Sequence, residues 1–239
     1  MPITIIQPRR LYQQIADQLR GLLDSGEYRP GDRLPAEREL AEQLGISRPT
    51  VREALIALEV EGRIRIKVGS GIFVTEPVAT KARRESPIEG PFELLRAREL
   101  VEGAVAEEAA KAASPDDIAR LDDVLLRMQR SQHPSPQTLQ LDREFHTTVA
   151  AILGNAVLVR FIGELFDERI NPYFERLSSY FENPETWEQA LAEHGRVRDA
   201  IAAGDADAAK RAMQQHLQLS QKRFSLNFGE PEDAHHTAS

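Results

Sequence analysis

"LAEQLGISRPTVREAL", residues 40–55, decides the reading of this chain. Leu40, Ala41 and Leu44 fall on one face of a short helix that begins near Ala36. Gly45 ends it, because a left-handed residue is cheapest as glycine. Ser47 is a good N-cap for a second helix running to about Val60, with Glu61-Gly62 closing it. Two short helices joined by a glycine-containing turn form a helix-turn-helix. Its second helix can enter a DNA major groove and present its first turn to the bases. Here that turn carries Ser47, Arg48, Pro49 and Thr50, with Arg52 one turn on. Arginine can hold guanine O6 and N7 together, while hydroxyls and backbone N–H groups hold phosphates. Both arginines are expected to face outward. Taken alone, the motif could also be a compact packing unit, the lesser of the two readings.

The flanks add to it. In "RLYQQIADQLRGLLDS", residues 10–25, Leu11, Ile15, Leu19, Leu22 and Leu23 recur at helical spacing. "YRPGDRLPA" reads as a loop, with Pro-Gly marking a turn. In "RIRIKVGSGIFVTE" the period changes to two. Ile64, Ile66 and Val68 alternate with Arg65 and Lys67, and Ile72 and Val74 alternate after Gly-Ser-Gly, so a β-hairpin is expected. That hairpin makes a wing, with Lys67 and Gly69 at its tip near the DNA backbone or minor groove.

Composition bounds the rest. The 239 residues suffice for two ordinary domains, and 41% are hydrophobic. No apolar run approaches the ~18 residues of a membrane span. In "MPITIIQPRR" the basic residues follow the apolar run, the wrong order for a secretory signal, so a cytoplasmic protein is expected. There is no cysteine, which excludes disulfides and thiolate zinc sites. Residues 1–84 carry 14 Lys+Arg against 11 Asp+Glu, whereas residues 85–239 carry 16 against 27. A mildly basic front joined to an acidic back suggests two domains with different partners, nucleic acid suiting the front.

The back half reads as helical throughout. Residues 76–90 are a linker with two prolines. Helices are expected at Phe92–Ala113, from "SPDD" at 114–117, and near 138–153, 155–177, 184–203 and 206–226, with a polar tail at 227–239. On them "LDREFHTTVA" places Asp142 and His146 at i and i+4, one helix face. His194 and His216 lie in separate amphipathic helices. Three imidazoles and a carboxylate suit zinc, nickel or manganese with coordination positions left open. The spacing is not a self-sufficient motif, and a helical histidine by itself is more often a core or surface residue. A metal-dependent hydrolase with a His₃Asp site is the rival from another class. Against it, Glu144 and Glu193 are expected to point away from the cluster, leaving no general base.

"PGDRLPAERELAEQLGISRPTVREALIALEVEGRIRIKVGSGIFV" closely resembles the DNA-binding domain of GntR-family bacterial transcription factors, nearly continuously from Leu11 to Val74. The resemblance implies a mostly α fold: a winged helix-turn-helix of three helices plus a hairpin at 1–75, joined to an all-α bundle at 91–226. It implies DNA contacts at Arg38, Ser47, Arg48, Thr50, Arg52 and Gly69. Pro49 is a common variant at its position; it lacks a donor, and its ring suits a helix start. The C-terminal half resembles the FCD effector domain of the FadR-type branch. In that branch the set Asp142, His146, His194 and His216 holds a divalent metal, zinc foremost, beneath a pocket for small carboxylates. An arginine at the position of Arg98, in "RARELVEG", pairs with the ligand carboxylate. An ion pair from Arg98 to Glu102 is compatible with that role. "GPFELLRARELVEGAVAEEAA" and "FIGELFDERINPYFERLSSYF" look most like the hexuronate-responsive repressors of the UxuR and ExuR kind. The implied protein is a homodimeric repressor rather than an enzyme, on a palindromic double-stranded operator and controlled by a sugar acid. A hydroxy acid or dicarboxylate is the alternative effector.

Overall fold

A computed structural model describes residues 10–76, 90–131 and 135–224, which fall into two compact units. The expected linker, apart from its end residues 76 and 90, and the expected tail lie outside the described residues.

The first unit contains α1 (Leu11–Asp24), β1 (Arg33–Leu34), α2 (Glu37–Leu44), α3 (Arg48–Val60), β2 (Ile64–Lys67) and β3 (Gly71–Val74). α3 is its centre. Val51, Ala54, Leu55, Ile56 and Leu58 are fully buried, and each large aliphatic chain contributes about 1.5–3 kcal/mol by leaving water. The α2–α3 turn forms as expected: Gly45 is left-handed at φ 66°, and Ser47 caps α3 by accepting from the Thr50 amide. The hairpin register pairs Ile64 with Val74 and Ile66 with Ile72, which points all four apolar chains to one buried face. Two expectations change. Leu11 is half exposed, and the buried face of α1 is Tyr12, Ile15, Ala16, Leu19 and Leu23. The segment expected as a plain loop carries β1, which pairs antiparallel with β3 and gives the order β1-β3-β2. Gly31 makes this possible by turning at φ 93° and donating to the Val74 carbonyl. Leu34 then seals the edge of the core.

The second unit is all helix: α4 (Pro91–Ala112), α5 (Pro115–Arg130), α6 (Pro136–Ala151), α7 (Ala156–Asp167), α8 (Pro172–Phe181), α9 (Pro184–Ala202) and α10 (Ala206–Arg223). Ser114, Ser135, Asn155, Asn171, Asn183 and Asp205 cap α5 to α10. α4 packs along α10 and also touches α6, α7 and α9. The helix expected over 155–177 is two helices. Pro172 disfavours helical backbone at Asn171, whose side chain instead accepts from the Phe174 amide at 2.8 Å and starts α8. That break turns Arg169 inward, to a side-chain exposure of 10%.

Candidate metal centre, cavity and nucleic-acid interface

The four residues expected to hold a metal converge. Asp142 and His146 come from α6, His194 from α9 and His216 from α10, with one ligand atom of each lying within 4.8 Å of the others. His146 Nε2 and His194 Nε2 are 3.3 Å apart, and Asp142 Oδ1 lies 3.1 Å from His194 Nε2 and 3.5 Å from His146 Nε2. Donors about 2.0–2.1 Å from a tetrahedral ion stand about 3.3 Å from one another, so these spacings fit a divalent metal. Each of the three imidazoles is at least nine-tenths buried. Phe145 packs on His194 with ring centroids 4.5 Å apart.

Two supporting groups were not legible in the sequence. Glu102 of α4 pairs with His146 Nδ1 and, at 2.6 Å, with Arg98 Nε. Glu193 of α9 accepts from His216 Nδ1 at 2.8 Å and from Arg223 at 2.7 Å. Both carboxylates turn Nε2 of their histidine toward the cluster, as carboxylates behind metal-bound histidines commonly do. The expectation that Glu193 points away is therefore corrected: the crossing of α10 over α9 brings His216 onto it. Glu144 does point elsewhere, pairing with Arg127. Burial opposes charge on Glu102 and Glu193, yet Arg98 and His146 at Glu102, and the hydrogen bonds from His216 and Arg223 at Glu193, outweigh it and hold both at about 2. Burial pushes His216 down to about 3, with His194 adding to it, and burial also lowers His194. Burial pulls His146 down too, but Glu102 and Asp142 reverse the balance and raise it. The cluster thus presents an ionised carboxylate and two imidazoles biased to the neutral form that a metal requires.

A cavity of about 540 Å³ lies beside the cluster, and both Asp142 and His216 line it. Arg98 and Arg169 line it too. Arg98 is 1% exposed, its Cζ sits 4.7 Å from the Phe166 centroid, and its Nη2 has no hydrogen-bond partner among the described residues. Arg169 donates to Asp142 Oδ2 at 2.9 Å and lies against Phe166 and Phe174. Ser135, Thr138, Ser178, Ser179 and Ser220 add hydroxyls to the walls.

In the first unit Arg38 is exposed and pairs with Glu42. Ser47 and Thr50 share a hydroxyl contact of 2.7 Å at the start of α3. Gly69 takes φ 72° beside Lys67, whose ammonium lies 5.2 Å from the Phe73 centroid. Arg48 is 41% exposed and donates from Nε to Glu37 Oε1 at 2.8 Å. Arg52 corrects the expectation that both arginines face outward. Its side chain is 1% exposed and donates from Nε to Glu37 Oε2 at 2.6 Å. Glu37 itself is fully buried, so one carboxylate between α2 and α3 holds both arginines. Burial raises the Glu37 carboxyl, and the two arginines act against that rise.

A winged helix-turn-helix together with a helical unit holding a His/Asp cluster beside a cavity defines a class of bacterial transcriptional regulator. The chain belongs to the GntR family: residues 11–74 match the bacterial regulatory proteins of that family, and residues 93–219 match the FCD domain. It is 36% identical to the Exu regulon transcriptional regulator of Escherichia coli K12 over 90% of this chain and 84% of that one. It is likewise 36% identical to the Uxu operon transcriptional regulator of the same strain, over 94% and 90%. A similar match, 36% over 95% and 86%, is the Uxu operon regulator of Haemophilus influenzae. Among solved structures, Escherichia coli McbR/YncC shares the fold, with TM-score 0.50, 24% identity, and coverage of 91% and 98%. These relatives are regulators, not enzymes. Among the described residues no helix is long and apolar enough to cross a membrane.

Proposed function

We propose that the chain is a cytoplasmic repressor that binds a palindromic operator as a homodimer and releases it on binding a hexuronate or closely related sugar acid. The DNA-binding part is residues 1–75 and the effector part residues 91–226. Two-fold symmetry follows because one recognition helix covers only a half-site. Arg48 reads the base edge, Ser47, Thr50 and Arg38 hold phosphates, and Gly69 lets the wing approach the backbone. Arg52 acts from inside, through Glu37. Asp142, His146, His194 and His216 hold a divalent metal, zinc foremost. When bound, it supplies a Lewis-acidic point for a ligand oxygen. Arg98 takes the ligand carboxylate, because a guanidinium matches a carboxylate with paired donors.

The observation that carries this reading is the unpartnered Nη2 of buried Arg98 on the wall of a cavity that Asp142 and His216 also line. The test uses fluorescence anisotropy on a palindromic operator selected from a random DNA library, with D-galacturonate and D-glucuronate as effectors, with and without a chelator. The acid should lower operator affinity, and the operator should lower acid affinity by the same factor. Arg98→Lys keeps a cation for Glu102 but loses the planar fork, so it should bind operator and ignore the acid. If the acids leave operator affinity unchanged, the effector assignment is wrong.

A further inference from the structure

The cavity holds more donor groups than a carboxylate at Arg98 would use. Buried side-chain atoms without a hydrogen-bond partner among the described residues include Arg98 Nη2, Arg169 Nε and Trp187 Nε1, and all three residues line this one cavity. All three atoms can only donate. A buried donor without an acceptor is costly, so such atoms mark where acceptor oxygens belong.

Arg169 cannot easily swing away to solve this alone. Its Cζ lies 4.7 Å from the Phe166 centroid and 4.9 Å from that of Phe174, and Nη1 is fixed on Asp142. Arg98 Cζ also lies 4.7 Å from the Phe166 centroid. The two guanidinium carbons are therefore no further apart than twice that distance. Oxygens a few carbons along a ligand whose carboxylate sits at Arg98 come within reach of Arg169. Trp187 approaches from α9 and offers one N–H set in an aromatic face. Much of the wall is apolar, but the two guanidiniums, the indole N–H and several hydroxyls interrupt it.

We propose that Arg169 and Trp187 form a second, donor-only recognition point, which reads acceptor oxygens at the end of the ligand remote from its carboxylate. The ligand class is thereby an oxygen-rich sugar acid, not an alkyl monocarboxylate. This rests on reading the cavity as the effector site.

The test is calorimetric titration of the zinc-loaded full chain with D-galacturonate, D-glucuronate and hexanoate. The parent should prefer the sugar acids to hexanoate. Trp187→Phe keeps the aromatic wall and deletes one donor, and should weaken sugar-acid binding about tenfold or more. Arg169→Lys should do the same. The melting temperature and zinc content of each ligand-free variant check folding, since Arg169 also touches Asp142. If the sugar acids bind the parent and Arg98→Lys abolishes binding, yet Trp187→Phe and Arg169→Lys bind as the parent does, this inference fails and the effector site stands. Hexanoate binding as tightly as the sugar acids would also overturn it. If neither sugar acid binds the parent, both readings fall. Binding that ignores Arg98→Lys but weakens in Trp187→Phe supports the second point and removes only the carboxylate from Arg98.

Discussion

Arg52→Met tests the difference between a DNA-contacting arginine and an internal strut. Methionine keeps the apolar stem and deletes the charge. Glu37 is fully exposed to the consequence, because none of its surface reaches water. Removing one partner from a buried ion pair costs about 3–5 kcal/mol, mostly from the charge left behind. Glu37 keeps the Arg48 bond at 2.8 Å, which places the loss near the lower figure, about 3 kcal/mol. For a unit this small that lowers the melting temperature by roughly 10–20 °C. Circular dichroism reads the melt, and Trp187, the one tryptophan, reports the other unit as an internal control. Adding Glu37→Leu should recover most of the loss, since an apolar pair of similar volume replaces a buried ion pair at little cost. The deficit also depends on pH. Burial already raises Glu37 above its ordinary 4.5 in the parent, and without Arg52 the rise is larger. A raised carboxyl favours the folded state while protonated and loses that advantage as pH climbs past its unfolded value. The deficit should therefore be largest near neutral pH and shrink toward pH 4. If Arg52→Met melts with the parent but loses operator affinity, Arg52 is a DNA contact and the strut argument is refuted.

Arg48→Ala should weaken operator binding by about 1–3 kcal/mol with the fold retained, as a filter-binding isotherm at fixed salt would record; unchanged affinity removes Arg48 from the contact set. His146→Ala should lose the metal and melt the helical unit earlier, and elemental analysis together with Trp187 fluorescence checks both. Glu193→Gln should retain the site but weaken metal affinity about 10–100-fold by releasing His216, measured by competition with a chromogenic chelator. Metal-free protein at every loading condition would count against the whole centre.

What the sequence disclosed and what it hid follow from the range of the interactions. Ser47, Gly45 and the hairpin alternation act within a few residues, so they are legible locally, and Asp142 and His146 share a face by helical period alone. Periodicity also places Arg48 and Arg52 on one face of α3, but it cannot say which of them meets water. That is set by Glu37, 11 and 15 residues upstream, whose single buried carboxylate reaches Arg48 near its surface and Arg52 beneath it. The same limit applies at the His/Asp cluster. Glu102 reaches His146, and Arg169 reaches Asp142 27 residues away. Only the break at Asn171-Pro172 carried a local sign of the Arg169 position, because a continuous helix over 155–177 would have set that residue elsewhere. The four cluster residues could thus be singled out from residue type and a family resemblance, while the groups that pair with them come together only once α4, α6, α9 and α10 are packed. It is those groups, an internal carboxylate under a half-exposed arginine and carboxylates behind histidines, that give an otherwise common set of side chains its direction.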